Sequence, residues 1–139
     1  MTEEGGEHMT PVVFVNCSAA PFIDDIISGR KTVETRTRDT LGTLAGKRVL
    51  LAETGNGRPV VRASAVIGTA IPVRSAREWE RLRSAHCVPG GSRYDWQPGF
   101  GVKYAYPLLN VKPFAAPFTP PEGVRHGRVW MEYTENEEG

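Results

Sequence analysis

A lysine, a glutamate and an arginine fall at positions 31, 34 and 36 of the stretch SGRKTVETRTR, residues 28–38. They follow an apolar helical pattern and open a segment of alternating character. Successive side chains of a strand point to opposite faces, so Glu34 and Arg36 share one face. Glu34 then offers a fixed acceptor beside the fixed donors of Arg36. Lys31 lies on the turn entering the strand and reaches over its start. Such a trio can hold the polar edge of a base, or a phosphate. It can also do acid/base work where burial moves the Glu34 or Lys31 pKa toward neutrality. A plainer reading competes: Gly29 caps a helix, the charges solvate a surface strand, and an exposed Glu34–Arg36 pair contributes little.

A second group is aromatic. Tyr94, Trp96, Phe100, Tyr104 and Tyr106 lie close in sequence, interleaved with Arg93 and Lys103. Rings supply stacking at ~1–3 kcal/mol per base, and cations meet phosphate. The surrounding glycines and prolines would let this segment close as a lid. The alternative is that the rings pack on the barrel as a satellite core. Tyr104 and Tyr106 share a face of a predicted strand, and Trp79 and Trp130 are assigned to the core.

Other chemistry has less support. His8, His86 and His126 lie far apart, and no ligand-type spacing surrounds them, so no metal and no cofactor is expected. Cys17 and Cys87 form no C-x-x-C pair and read as reduced thiols of a cytoplasmic protein. Glu53 is a possible second carboxylate near a strand end, more simply read as exposed before a turn. The net charge is only +1, which excludes a bulk polycation. The acids gather at the two ends, however, so the middle of the chain is more basic and favours an anionic or polar ligand. No apolar run approaches the ~20 residues that span a bilayer, and no signal-peptide pattern opens the chain.

The elements that must position these residues follow from periodicity. The 139 residues, 40% of them apolar, suit one compact domain. We expect a flexible lead-in over 1–10, a single domain over 11–134 and an acidic tail over 135–139. VVFVN, 12–16, reads as a buried strand. Phe22, Ile23, Ile26 and Ile27 recur at helical spacing, which predicts a helix over about 19–28, capped by Ser18 and stopped by Gly29. TVETR and RVLLAET (48–54) read as strands, and GNGRP as a hairpin turn. Residues 60–73 form a long β segment bent at Gly68 and Pro72. Ser75 and Glu78 make a capping box that opens a second helix, roughly 76–87. KYAYPLLNVKPF, a proline-rich connection over AAPFTPPEGVRHG, and the strand RVWMEYT follow. Five to six strands and two short helices without β-α-β alternation predict an α+β domain on a curved, barrel-like mixed sheet.

GRKTVETR resembles the G-x-K-x-x-E-x-R signature of the ASCH domain, a family of the PUA-like β-barrel fold. Gly29, Lys31, Glu34 and Arg36 occupy its four positions. The preceding helix, the mid-chain helix, KYAYPLLNVKPF and the closing GVRHGRVW look similar in order, so the resemblance covers about residues 12–134. It implies a PUA-like fold and a cleft, lined by the signature, that binds RNA or a modified nucleoside or nucleotide. On this reading Gly29, Lys31, Glu34, Arg36, Arg93, Tyr94, Trp96 and Lys103 would bind the ligand. The resemblance also implies an alternative, a small hydrolase acting on N4-acetylcytidine or on RNA. Lys31 and Glu34 would then be catalytic, with Glu34 as general base and Lys31 and Arg36 stabilising charge. The amidohydrolase relatives carry a threonine three residues after their lysine; that position here is Glu34, so their nucleophile is missing. A protein–protein adaptor is a third class, which no residue pattern supports directly, and the oligomeric state is not legible.

Overall fold

The structure is a computed structural model describing residues 7–99, 101–121 and 129–136. The elements run β1 (Glu7–Asn16), α1 (Phe22–Ser28), β2 (Val33–Arg36), β3 (Arg48–Thr54), β4 (Val60–Ile67), β5 (Ile71–Val73), α2 (Ala76–Arg81), α3 (Arg83–His86), β6 (Lys103–Phe118) and β7 (Trp130–Asn136), with a short 3-10 helix at Gly42–Leu44. This is an α+β domain. Seven strands, rather than five or six, form the sheet in the order β2-β6-β4-β3-β1-β7, with β5 also beside β6. No described helix is long and apolar enough to cross a membrane.

The apolar runs 12–15 and 49–52 are continuous because both faces of these strands are covered. Val13, Val15, Val49 and Leu51 enter the main core, whereas Val12, Phe14, Leu50 and Ala52 enter a smaller cluster on the other side. β1 and β3 pair in parallel, so they cannot be joined by a tight turn. The intervening chain holds α1 and β2, and α1 buries Phe22, Ile23 and Ile26 against the main core.

The expected closed barrel is not formed: the sheet is open. β2 has four residues and pairs only with the first half of β6, while the second half of β6 pairs with β4. Sheet pairing therefore does not join β2 to β1 or β7. A side chain spans that seam instead, with Arg36 Nη2 donating to the Phe14 carbonyl at 2.9 Å.

Several boundaries move. β1 starts at Glu7, because residues 7–13 pair with β7, and β7 runs to Asn136. The folded part thus reaches into both stretches read as lead-in and tail. α1 begins at Phe22 and its cap position is Pro21, not Ser18, whose hydroxyl instead donates to Asn16. β6 continues through Phe118, so AAPF is strand and not connection. Residues 122–128 of that stretch, including His126 and most of GVRHGRVW, lie outside the described residues, as does Phe100. The bend at Gly68 has a steric reason, since a Cβ there would meet Pro107 at 2.8 Å.

The second predicted helix is two. α2 ends at Arg81 and α3 starts at Arg83, with Leu82 as the cap between them. The Trp79 and His86 rings stack at 3.9 Å. On an unbroken helix, seven residues would separate them by about 10 Å. The break is what lets these two rings meet.

Candidate active site

The signature residues owe their direction to the turn after α1. Gly29 takes φ 87°, and its N–H donates to Ile26 O, closing the helix. The next backbone groups are pinned from three sides. Lys31 N–H donates to Asp25 O at 3.0 Å, Thr32 N–H to Ala85 O at 2.8 Å, and Leu108 N–H to Thr32 O at 2.9 Å. The chain enters β2 with Lys31 turned inward.

Lys31 is 2% exposed. Its Nζ donates to the His86 carbonyl at 2.6 Å and lies 3.5 Å from Glu34 Oε1 and 4.7 Å from the Phe22 ring centroid. Glu34 is also buried, and its Oε2 accepts from Arg36 Nη2 at 2.8 Å. The three side chains therefore converge, and they do so under cover rather than on a solvated strand. Burial pushes the Lys31 pKa down, and the Glu34 carboxylate opposes this only in part.

They border a cavity of about 360 Å³, within the size range of small-molecule sites. Phe14, Phe22 and Val88 give it apolar walls; Asn16 and Thr54, at the ends of two parallel strands, add polar groups. Arg93 and Tyr94 approach from the loop after α3, and Lys103 from the start of β6. Arg93 is exposed; it donates to Ser18 Oγ and to the Tyr94 hydroxyl, both at 2.8 Å, and stacks over the Tyr94 ring. It thus ties that loop to the β1–α1 turn across the mouth. Lys103 is 3% exposed, donates to Tyr94 O at 2.6 Å and sits 4.2 Å from the Trp79 ring centroid. Burial pushes its pKa down to about 8, with Asp95 opposing and Lys31 adding to the shift.

Of the residues singled out from sequence, Lys31, Glu34, Arg36, Arg93, Tyr94 and Lys103 line one cavity. Gly29 and Trp96 do not. Gly29 shapes the turn, and Trp96 packs against the main core with its ring 6.2 Å from Trp79. The aromatic segment is therefore divided: Tyr94 faces the cavity, Tyr106 is buried in the core, and Tyr104 packs against it. Glu53 is held by Arg62 at 2.9 Å and does not border the cavity. Cys17 and Cys87 are free thiols. Among the described residues no three metal-ligating side chains cluster.

Other contributors were not legible. Phe14 and Phe22 look like ordinary core positions of a strand and a helix. His86 supplies the carbonyl that holds Lys31, and nothing in its local sequence says so. Asp95 anchors the loop that carries Arg93 and Tyr94, accepting from the Trp79 indole at 2.7 Å and Gly91 N–H at 2.8 Å. Burial opposes its ionisation, but these hydrogen bonds, the Trp96 N–H and Arg83 outweigh it and hold the carboxyl well below the usual range. The signal for Asp95 was its place in a glycine-rich turn, where Asp commonly accepts backbone N–H groups.

No protein-family model and no curated protein matches the sequence. Solved structures do match. The ASCH protein of Zymomonas mobilis superimposes with a TM-score of 0.64 at 22% identity, over 79% of this chain and 73% of that one. A serine-to-alanine variant of the same protein gives 0.64 at 23% identity, with the same coverage. A tyrosine-to-phenylalanine variant gives 0.63 at 23% identity, over 79% of this chain and 75% of that one. A strand order built around one long shared β6 and these matches agree: the chain has the PUA-like fold of ASCH proteins.

Proposed function

We propose that the cavity binds a single nucleobase, carried by a nucleoside, a nucleotide or an unpaired RNA residue. The carrying observation is the convergence of Lys31, Glu34 and Arg36 on one partly open, partly aromatic cavity of about 360 Å³. A base edge presents donors and acceptors side by side. Glu34 supplies the acceptor, and Lys31 and Arg36 supply donors, in a setting where unpaired polar groups are costly. Phe22 and Tyr94 supply aromatic surface. The signature resembling that of ASCH domains, on an ASCH-type fold, supports the same reading. The test is calorimetric titration of the protein with the common and N4-acetylated nucleosides and their nucleotides. Binding by one of them, weakened at least tenfold by Glu34→Gln, is the expected result. No binding by any base-containing ligand at millimolar concentration refutes the reading.

A hydrolase is the second reading, and the buried, pKa-lowered Lys31 beside a carboxylate favours it. Glu34 would take a proton from water as the oxygen attacks an amide carbonyl. Lys31 and Arg36 would hold the oxyanion, and collapse, with Glu34 returning the proton to the departing nitrogen, would release a carboxylic acid, which ionises, and an amine. A chromatographic assay with N4-acetylcytidine separates the readings. Conversion to cytidine by wild type, lost in Lys31→Ala and Glu34→Gln, makes the site catalytic; no conversion at high protein concentration removes this substrate.

A further inference from the structure

The charge of the cavity carries more than the presence of a base. Among the described residues, Lys31, Arg36 and Arg93, with Lys103 beside them, line it against one carboxylate, Glu34. That carboxylate already accepts from Arg36 at 2.8 Å and faces Lys31 at 3.5 Å. A neutral nucleoside filling this space would cover the cations further from water and leave a surplus of positive charge around the buried Lys31, which is costly. An anionic ligand removes that cost. At the mouth, the Arg93 partners are neutral hydroxyls, Ser18 and Tyr94. Phosphate oxygens would replace them with charge-assisted bonds in the planar, two-pronged geometry a guanidinium favours.

We propose that the ligand is a nucleoside monophosphate, its base on Glu34 and its phosphate monoester on Arg93 at the mouth. This rests on the base-binding reading above and narrows it to one charge class. A monoester carries about −1.5 to −2 charge at pH 7, which offsets most of the cation surplus. A volume of about 360 Å³ matches one nucleotide.

The experiment is calorimetry with four probes: a nucleoside, its 5′-monophosphate, inorganic phosphate alone, and an unphosphorylated tetranucleotide containing the same base. The monophosphate is expected to bind at least about tenfold more tightly than the nucleoside. Arg93→Gln is expected to bring that ratio toward one, with an unchanged circular-dichroism spectrum because the side chain is exposed. Equal binding of nucleoside and monophosphate overturns this proposal while leaving the base site standing. Tighter binding of the tetranucleotide overturns it in favour of RNA. Inorganic phosphate binding as well as the nucleotide, or no binding by any probe, overturns it together with the base-binding reading. A ratio undiminished in Arg93→Gln removes Arg93 from the phosphate site.

Discussion

Lys31 and Glu34 should respond in opposite ways to losing their charge, and the difference tests whether the lysine serves the fold or the cavity. Glu34→Gln leaves Lys31 and Arg36 facing each other across a buried site without the carboxylate that both approach, at 3.5 and 2.8 Å. Removing one partner of a buried ion pair typically costs about 3–5 kcal/mol. Lys31→Met is different. Glu34 keeps Arg36, and what is lost is the hydrogen bond to the His86 carbonyl, the 3.5 Å approach to Glu34 and the contact with the Phe22 ring. An unsatisfied buried acceptor costs about 1–3 kcal/mol. Against this, the penalty of burying an ammonium group, several kcal/mol, disappears. The lowered Lys31 pKa says that burial outweighs its partners. The net change for Lys31→Met is then within about 1 kcal/mol of zero, or stabilising. For a domain of this size about 1 kcal/mol corresponds to roughly 4 °C in Tm. Calorimetry at pH 7 should show Glu34→Gln melting about 12–20 °C below wild type and Lys31→Met within about 4 °C of it. The pH dependence has a fixed sign. The unfolded lysine keeps its proton to about pH 10.4, whereas the folded one releases it earlier. Unfolded chains hold more protons in that window, so wild-type stability rises with pH there and any advantage of Lys31→Met shrinks. A Lys31→Met variant melting as low as Glu34→Gln would refute the reasoning and make Lys31 a structural ion-pair partner.

Two further outcomes follow from the same geometry. His86 is buried, its Nδ1 accepts from Val88 N–H at 2.9 Å, and burial pushes its pKa down to about 4. An unfolded histidine titrates near 6.5, so stability should fall as pH drops from about 6.5 to about 4, by up to about 1.4 kcal/mol per pH unit; urea denaturation across that range checks this, and a flat profile contradicts it. At Gly29, φ 87° with open space around the missing Cβ makes the cost of Gly29→Ala a backbone cost alone, about 1–2 kcal/mol, and Gly29→Asn should cost less when the two are compared in the same denaturant series.

What the sequence by itself determined is what repeats or stops locally. Continuous apolar runs marked β1 and β3 as strands. The spacing of Phe22, Ile23 and Ile26 marked α1, and Gly29 ended it. Ser75 capped α2 by accepting from Glu78 N–H. Gly68 marked the bend between β4 and β5, and strand alternation put Glu34 and Arg36 on one face. These features depend on backbone sterics and side-chain period, which act over a few residues. Tertiary structure decided what covers each face. Lys31 is held by a carbonyl 55 residues away, and Lys103 by the loop that Asp95 anchors. Trp96 and Tyr94, two residues apart, part company because one meets Trp79 and the other meets Phe22. The helix break at Leu82 and the open seam that Arg36 bridges likewise answer to contacts distant in sequence. Desolvation is set by all the neighbours of a group together. The sequence could name the cations and the carboxylate, and only the fold could bury them.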